Sequence, residues 1–166
     1  DQWENRDAPD DRFIAPPSDY YGYQHVDLVI GHGDRPGGHY VHWARERGVD
    51  PETLGGPGNS SSKYSGWDQV YQTAIPADVH PTSYVSEKAI EHLKDAAGQD
   101  QPFFMFVSFP DPHHPFSPPE GYSDLYDPLD LPLPLGFEQD HSASPAHVRD
   151  MMEHRGEPNA DPTMTW

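Results

Sequence analysis

The chain contains no cysteine. That excludes a disulfide framework, a thiolate metal site and a cysteine nucleophile, and it leaves the redox compartment undetermined because there is nothing to oxidise. Basic residues are scarce too: 10 Lys and Arg stand against 28 Asp and Glu, for a formal charge of −18 with His neutral. A polyanion is held mainly by cationic side chains that release counterions, so this balance excludes a general nucleic-acid binder and adsorption to an anionic membrane. Any anionic ligand must be met locally. No run of 18 apolar residues occurs in the sequence, so no segment reads as a membrane-spanning helix. Aliphatic residues are also few. Leu, Ile, Val and Phe number 28 of 166, about 17%, a share that with high net charge resembles disordered chains. Aromatics at 12% argue for a folded body, but with a core thin enough to need a neighbour's cover. The first residues, Asp1 to Arg6, include no initiator Met and no basic or apolar leader, which reads as processing or truncation.

Three stretches follow from pattern. Residues 1–22 are charged and Pro-containing, an irregular approach. Residues 23–116 carry the organised part. Val26, Leu28 and Ile30 alternate within 23–30 and predict a strand that Gly31 stops. A long stretch without sustained period follows, punctuated by Gly37-Gly38, Gly55-Gly56-Pro57-Gly58 and Ser60 to Ser62; long irregular excursions usually line a site. Behind His80-Pro81, the repeat of Val85, Ala89, Leu93 and Ala96 predicts a helix with Thr82 or Ser83 as N-cap and Gly98 as its stop. The apolar run 103–109, bounded by prolines, predicts a strand buried on both faces. Strand, crossover with helix, then strand implies an α/β fold with a mostly parallel sheet, covering helices and long loops. Residues 117–166 are Pro-rich; Leu129 to Leu135 alternates Leu and Pro and reads as extended backbone against a larger body. A short helix is predicted over 145–155.

Two clusters could carry chemistry. The first runs from Gly31 through His32, Asp34, His39 and His42 to Trp43. His39 and His42 would share a face only in a helix, which Gly37-Gly38 disfavours, and the spacing of His32, His39 and His42 matches no recognised metal motif. A loop pinned by His hydrogen bonds is the favoured reading, with His32 and Asp34 as pocket-lining groups because they follow a strand. The second cluster is Pro112-His113-His114-Pro115-Phe116, which leaves the apolar run where α/β sheets gather ligands. Stiff flanking prolines suit a His that must already be in place to serve a developing charge. The plain alternative is that both imidazoles merely satisfy carbonyls at a strand end.

The segment from Phe103 through Pro110-Asp111-Pro112-His113-His114-Pro115-Phe116 to Pro119 resembles the middle of type I sulfatases, in the alkaline phosphatase superfamily, where an apolar strand enters a Pro-His-x-Pro-Phe turn. Tyr23 to Trp43, Ala74 to Thr82, Tyr122 to Pro128 and Pro162 to Met164 are similar to bacterial members in the same order. The resemblance implies a partial alkaline-phosphatase-like fold, with residues 1–166 an internal fragment of one catalytic domain. It implies that His113 contacts the sulfate and the leaving-group oxygen, with His114 at the variable position of the turn. It also implies a formylglycine nucleophile and a calcium ion, yet the C-x-P-S-R motif, its Ser version, the G-K-x-H segment and a D-H-G run are all absent. Nucleophile and metal would then lie in the missing remainder of the domain, its expected partner. No metal ligand is assigned here, and the fragment alone is expected to be inactive. The implied substrate is a small sulfate ester or a sulfated glycan.

Other readings remain open at this level. The same turn could serve a phosphate ester or phosphonate. A non-catalytic acidic, Pro-rich interaction module would use Leu129 to Leu135 as a ligand for aromatic grooves. A metal-binding role for the eleven His residues is weakened by their dispersal.

Overall fold

The computed structural model describes residues 20–63 and 69–154. The expectations for residues 1–19, for the end of the predicted 145–155 helix and for Pro162 to Met164 therefore lie wholly or partly outside the described residues. The chain divides into two units, one containing the described residues up to Ser123 and the other beginning at Asp124.

In the first unit, strand β1 (Val29–Ile30) pairs antiparallel with β2 (Gly37–Gly38), with Val29 opposite Gly38 and Ile30 opposite Gly37. The strand predicted over 23–30 is thus only its last two residues. Helix α1 (His39–Glu46) starts directly after β2, a correction to the loop expected here. Gly37-Gly38 does not interrupt this helix but sits before it: Gly38, at φ +85°, is the N-cap residue, a backbone conformation L side chains rarely adopt. A short helix α2 (Pro51–Leu54) follows, opened by Asp50, whose side chain accepts a hydrogen bond from the amide of Glu52, and by Pro51 at its first position.

Strands β3 (Ser62–Lys63) and β4 (Tyr71–Gln72) form a second antiparallel pair. Helix α3 (Pro81–Ala97) matches the predicted span and ends at Gly98. Its N-cap is His80 rather than Thr82 or Ser83: Nδ1 of His80 accepts from the Thr82 amide at 3.3 Å. Pro81 explains the shift, because a proline is pre-organised for the first helical position and so places the cap at residue 80, two residues upstream of Thr82.

The core lies where α1 meets the start of α3. Tyr40, Val41, Trp43 and Ala44 pack with Ile75, Val79 and Tyr84. The Tyr40 hydroxyl donates to the Val79 carbonyl at 3.0 Å, and the Trp43 indole donates to Glu87 at 2.9 Å. Arg47 stacks over Trp43 at 3.9 Å while pairing with Glu87. Burial fades along α3: Pro81 and Tyr84 are buried, whereas Ile90 and Leu93 are exposed.

The mostly parallel sheet expected from sequence is not found among the described residues, whose named sheets are the two antiparallel pairs. Residues 103–109 carry no strand assignment. They have no ladder partner among the described residues, and Phe103, Phe104, Phe106, Val107 and Phe109 are all exposed. Parallel geometry survives in one place, where Val70 bridges Phe116. Phe116 N–H donates to the Gln69 carbonyl at 2.7 Å, and the Tyr71 and Thr73 amides donate to the carbonyls of Phe116 and Pro118.

In the second unit, residues 128–130 form a single 3₁₀ turn, and α4 (Ala146–Glu153) follows Pro145. Leu129, Leu131, Leu133 and Leu135 are exposed. No helix among the described residues is long and apolar enough to cross a membrane.

Candidate functional site

The turn that follows residues 103–109 closes on itself through a hydrogen bond from the His113 amide to the Pro110 carbonyl, 3.2 Å. Its imidazoles are ordered by their own backbone. Nδ1 of His113 lies 2.7 Å from the carbonyl oxygen of His114. A carbonyl can only accept, so Nδ1 carries the proton and Nε2 is left to face a ligand. In the neutral ring that nitrogen bears a lone pair; it gives a proton only from the imidazolium.

Loop 31–34 brings a third ring. His32 stacks on His113 with centroids 3.6 Å apart and planes 14° from parallel. His114 also stacks on His113, at 4.2 Å. His32 and His113 are exposed and His114 is half-buried. Burial, with His113 and His114 beside it, holds the His32 imidazole below its ordinary proton affinity. Three of the four residues singled out from sequence thus share one surface.

The approach depends on Gly33. A Cβ there would fall 2.5 Å from Cγ of Pro115, and its φ is +65°, so both contact and backbone require glycine. Asp34, the fourth candidate, lies beneath. It is 1% exposed, and its carboxylate accepts from the Tyr71 hydroxyl at 2.8 Å, the Thr73 hydroxyl at 2.6 Å and the Gly56 amide at 2.9 Å. Three donors compensate the desolvated charge. Because Tyr71 and Thr73 also pair with residues 116–118, Asp34 ties the His32 loop to the strand that receives the exit of the His113 turn. Burial, then the hydrogen bond to Asp34, pushes the Tyr71 phenol well above its ordinary range, so it remains a donor.

The entrance to the turn is tied as well. Oδ2 of Asp111 accepts from the Thr82 hydroxyl at 2.8 Å and lies 3.9 Å from Nδ1 of His80. Burial lowers the proton affinity of His80 against the opposing pull of Asp111. Thr82, Asp111, Tyr71 and Thr73 were not singled out as site residues from sequence. Asp111 lies inside the quoted motif, and Thr82 just after His80-Pro81, but no local spacing links two residues 29 positions apart.

His39 and His42 stand on α1 after all, three residues apart. Nδ1 of His39 accepts from the Leu28 amide at 2.9 Å, which pins the segment leading into β1. Among the described residues no three His, Asp or Glu form a group able to hold a metal. With no cysteine and no S-x-P-S-R sequence, these residues do not fit a calcium ion or a formylglycine.

No family model matches the chain, and no solved structure does. Curated proteins do. The chain is similar to an arylsulfatase of Clostridium perfringens, 35% identical over 100 residues that cover 58% of this chain and 19% of that protein. It is 35% identical over 65 residues to an uncharacterized sulfatase of Escherichia coli, covering 39% of this chain and 13% of the relative. It is 29% identical over 80 residues to a multifunctional alkaline phosphatase superfamily protein of Trinickia caryophylli, covering 48% and 15%. The similarity to sulfatases and their superfamily stands on these matches, as does an α/β class, and the matched stretches span less than a fifth of each relative's length.

Proposed function

We propose that this chain is an internal piece of the catalytic domain of a sulfuric ester hydrolase, and that His113 meets the sulfate and the leaving-group oxygen. The observation that carries the reading is the three-imidazole surface, built on the Pro-His-x-Pro-Phe turn in a chain similar to sulfatases. Nε2 of His113 is the nitrogen left for the ester. From the imidazolium its N–H would hold the leaving-group oxygen and pass its proton to the departing alkoxide. His32 and His114 flank it, and donors at this point meet an anion locally on a chain of charge −18. Asp34, with its oxygens occupied by Tyr71, Thr73 and Gly56, is assigned to holding the pocket loop rather than to touching the ester.

The formylglycine and calcium that such chemistry employs would come from the remainder of the domain, and this piece alone should turn nothing over. Support comes from the exposed apolar segment 103–109, which has the composition of a central strand and no ladder partner among the described residues. The complete polypeptide containing these residues should release sulfate from 4-nitrophenyl sulfate. His113→Ala should lower that rate by about a hundredfold or more, the usual weight of a positioned acid or base; an unchanged rate would refute the assignment. A phosphate ester or phosphonate is the second reading, favoured by the multifunctional superfamily relative. Faster turnover of 4-nitrophenyl phosphate than of the sulfate would decide for it.

A further inference from the structure

Building on the role proposed for His113, we propose that Thr82 and Asp111 are positioning residues that hold His113 in register from the first turn of α3. Thr82 is the second residue of that helix, where a hydroxyl has no obligatory helical task because His80 already caps the end. Its Oγ1 instead reaches Oδ2 of Asp111 at 2.8 Å. Asp111 precedes His113 by two residues, inside the turn closed by the His113 amide and the Pro110 carbonyl. A carboxylate at a helix N-terminus also meets the positive end of the helix dipole.

The anchor is rigid because its base is buried. Pro81 and Tyr84 are among the most fully buried side chains, and Tyr84 belongs to the core cluster. His80, 4% exposed, forms a wall beside the Asp111 oxygen, and burial lowers its proton affinity against the pull of Asp111. At the far end of the turn, Phe116 is fixed to residues 69–71 by backbone hydrogen bonds, which a substitution cannot delete. The Thr82 to Asp111 bond is a side-chain tie and can be cut alone. A displaced imidazole of about 1 Å can cost on the order of a hundredfold in rate, so the effect should be visible.

The test is a double-mutant cycle in the complete polypeptide, with 4-nitrophenyl sulfate and phenyl sulfate as substrates. Thr82→Val should lower kcat by about tenfold to a hundredfold with KM nearly unchanged. The loss should be larger on phenyl sulfate, whose leaving group depends more on a delivered proton. Thr82→Ser, which keeps the hydroxyl, should restore the parental rate. In a His113→Ala background, Thr82→Val should have almost no further effect, because its action runs through the missing ring. Should Thr82→Val fail to fold, Asp111→Asn and Asp111→Ala replace it: the amide oxygen still accepts from Thr82 and should retain activity, whereas Ala should lose it. Full additivity over an impaired His113→Ala, or equal losses in Thr82→Ser and Thr82→Val, would overturn the clamp alone. An unimpaired His113→Ala would overturn the reading of His113 and the clamp's role with it.

Discussion

At the scale of single residues, the site turns on how backbone constrains side chains. The His114 carbonyl selects the tautomer of His113, and a glycine at 33 lets a loop lie against Pro115. Gly33→Ala adds a methyl that meets the proline ring and forces an L residue into positive φ. The expected cost is about 1–3 kcal/mol of unfolding free energy, read as a lower urea midpoint at unchanged slope. The same substitution should separate His32 from His113. His113 and His114 were legible because a strand-like run fixes where their turn begins. His32 was legible as a residue following a strand, but its stacking partner was not, since the two lie 81 positions apart and no periodic pattern spans such a gap.

At the scale of elements, α3 was readable from its repeat and its glycine stop, while its cap was displaced by Pro81. Helix α1 escaped notice because Gly37-Gly38 looked like an interruption; in place, the pair belongs to a strand and a cap, where left-handed backbone is an asset. The Asp34 hub was half legible, for the carboxylate was picked out but its donors on and beside β4 were not. Tyr71→Phe or Thr73→Val leaves one buried carboxylate oxygen short of a donor. Each should destabilise by about 1.5–3 kcal/mol, and the pair should be non-additive because both act on one group; chemical denaturation of the parent, the two single variants and the double variant checks this.

Helix capping also carries a pH signature. His80 is buried and its folded-state proton affinity lies below the ordinary value of 6.5. Between the two values the unfolded chain binds the extra proton, so stability rises with pH there and is lost as pH falls below about 6.5. Melting curves between pH 7 and pH 5 should show the decline, and His80→Asn, which keeps a capping acceptor, should reduce its slope.

At the scale of the whole molecule, the aliphatic deficit and the exposed residues belong together. A chain with few Leu, Ile, Val and Phe places five apolar side chains on a segment where all five stay exposed. The composition points to a core in need of a neighbour, but the parallel sheet inferred from the apolar run and the order strand, helix, strand was not legible as a property of this chain, because a strand needs a partner and pattern alone does not say where the partner lies. The isolated 166-residue chain should therefore bind the dye ANS and self-associate with rising concentration. Phe104→Glu with Phe106→Glu should suppress both without altering the melting of the α1 and α3 core; sedimentation and dye fluorescence measure the outcome.

The His113 turn is held at its entrance by Thr82 and at its exit by residues 69–71, and both abutments are seated in separate parts of the fold. The count of residues between the two supports is therefore fixed by geometry. An inserted residue would have to buckle outward, lifting the imidazole off its neighbour, so the span between the two abutments tolerates no change of length.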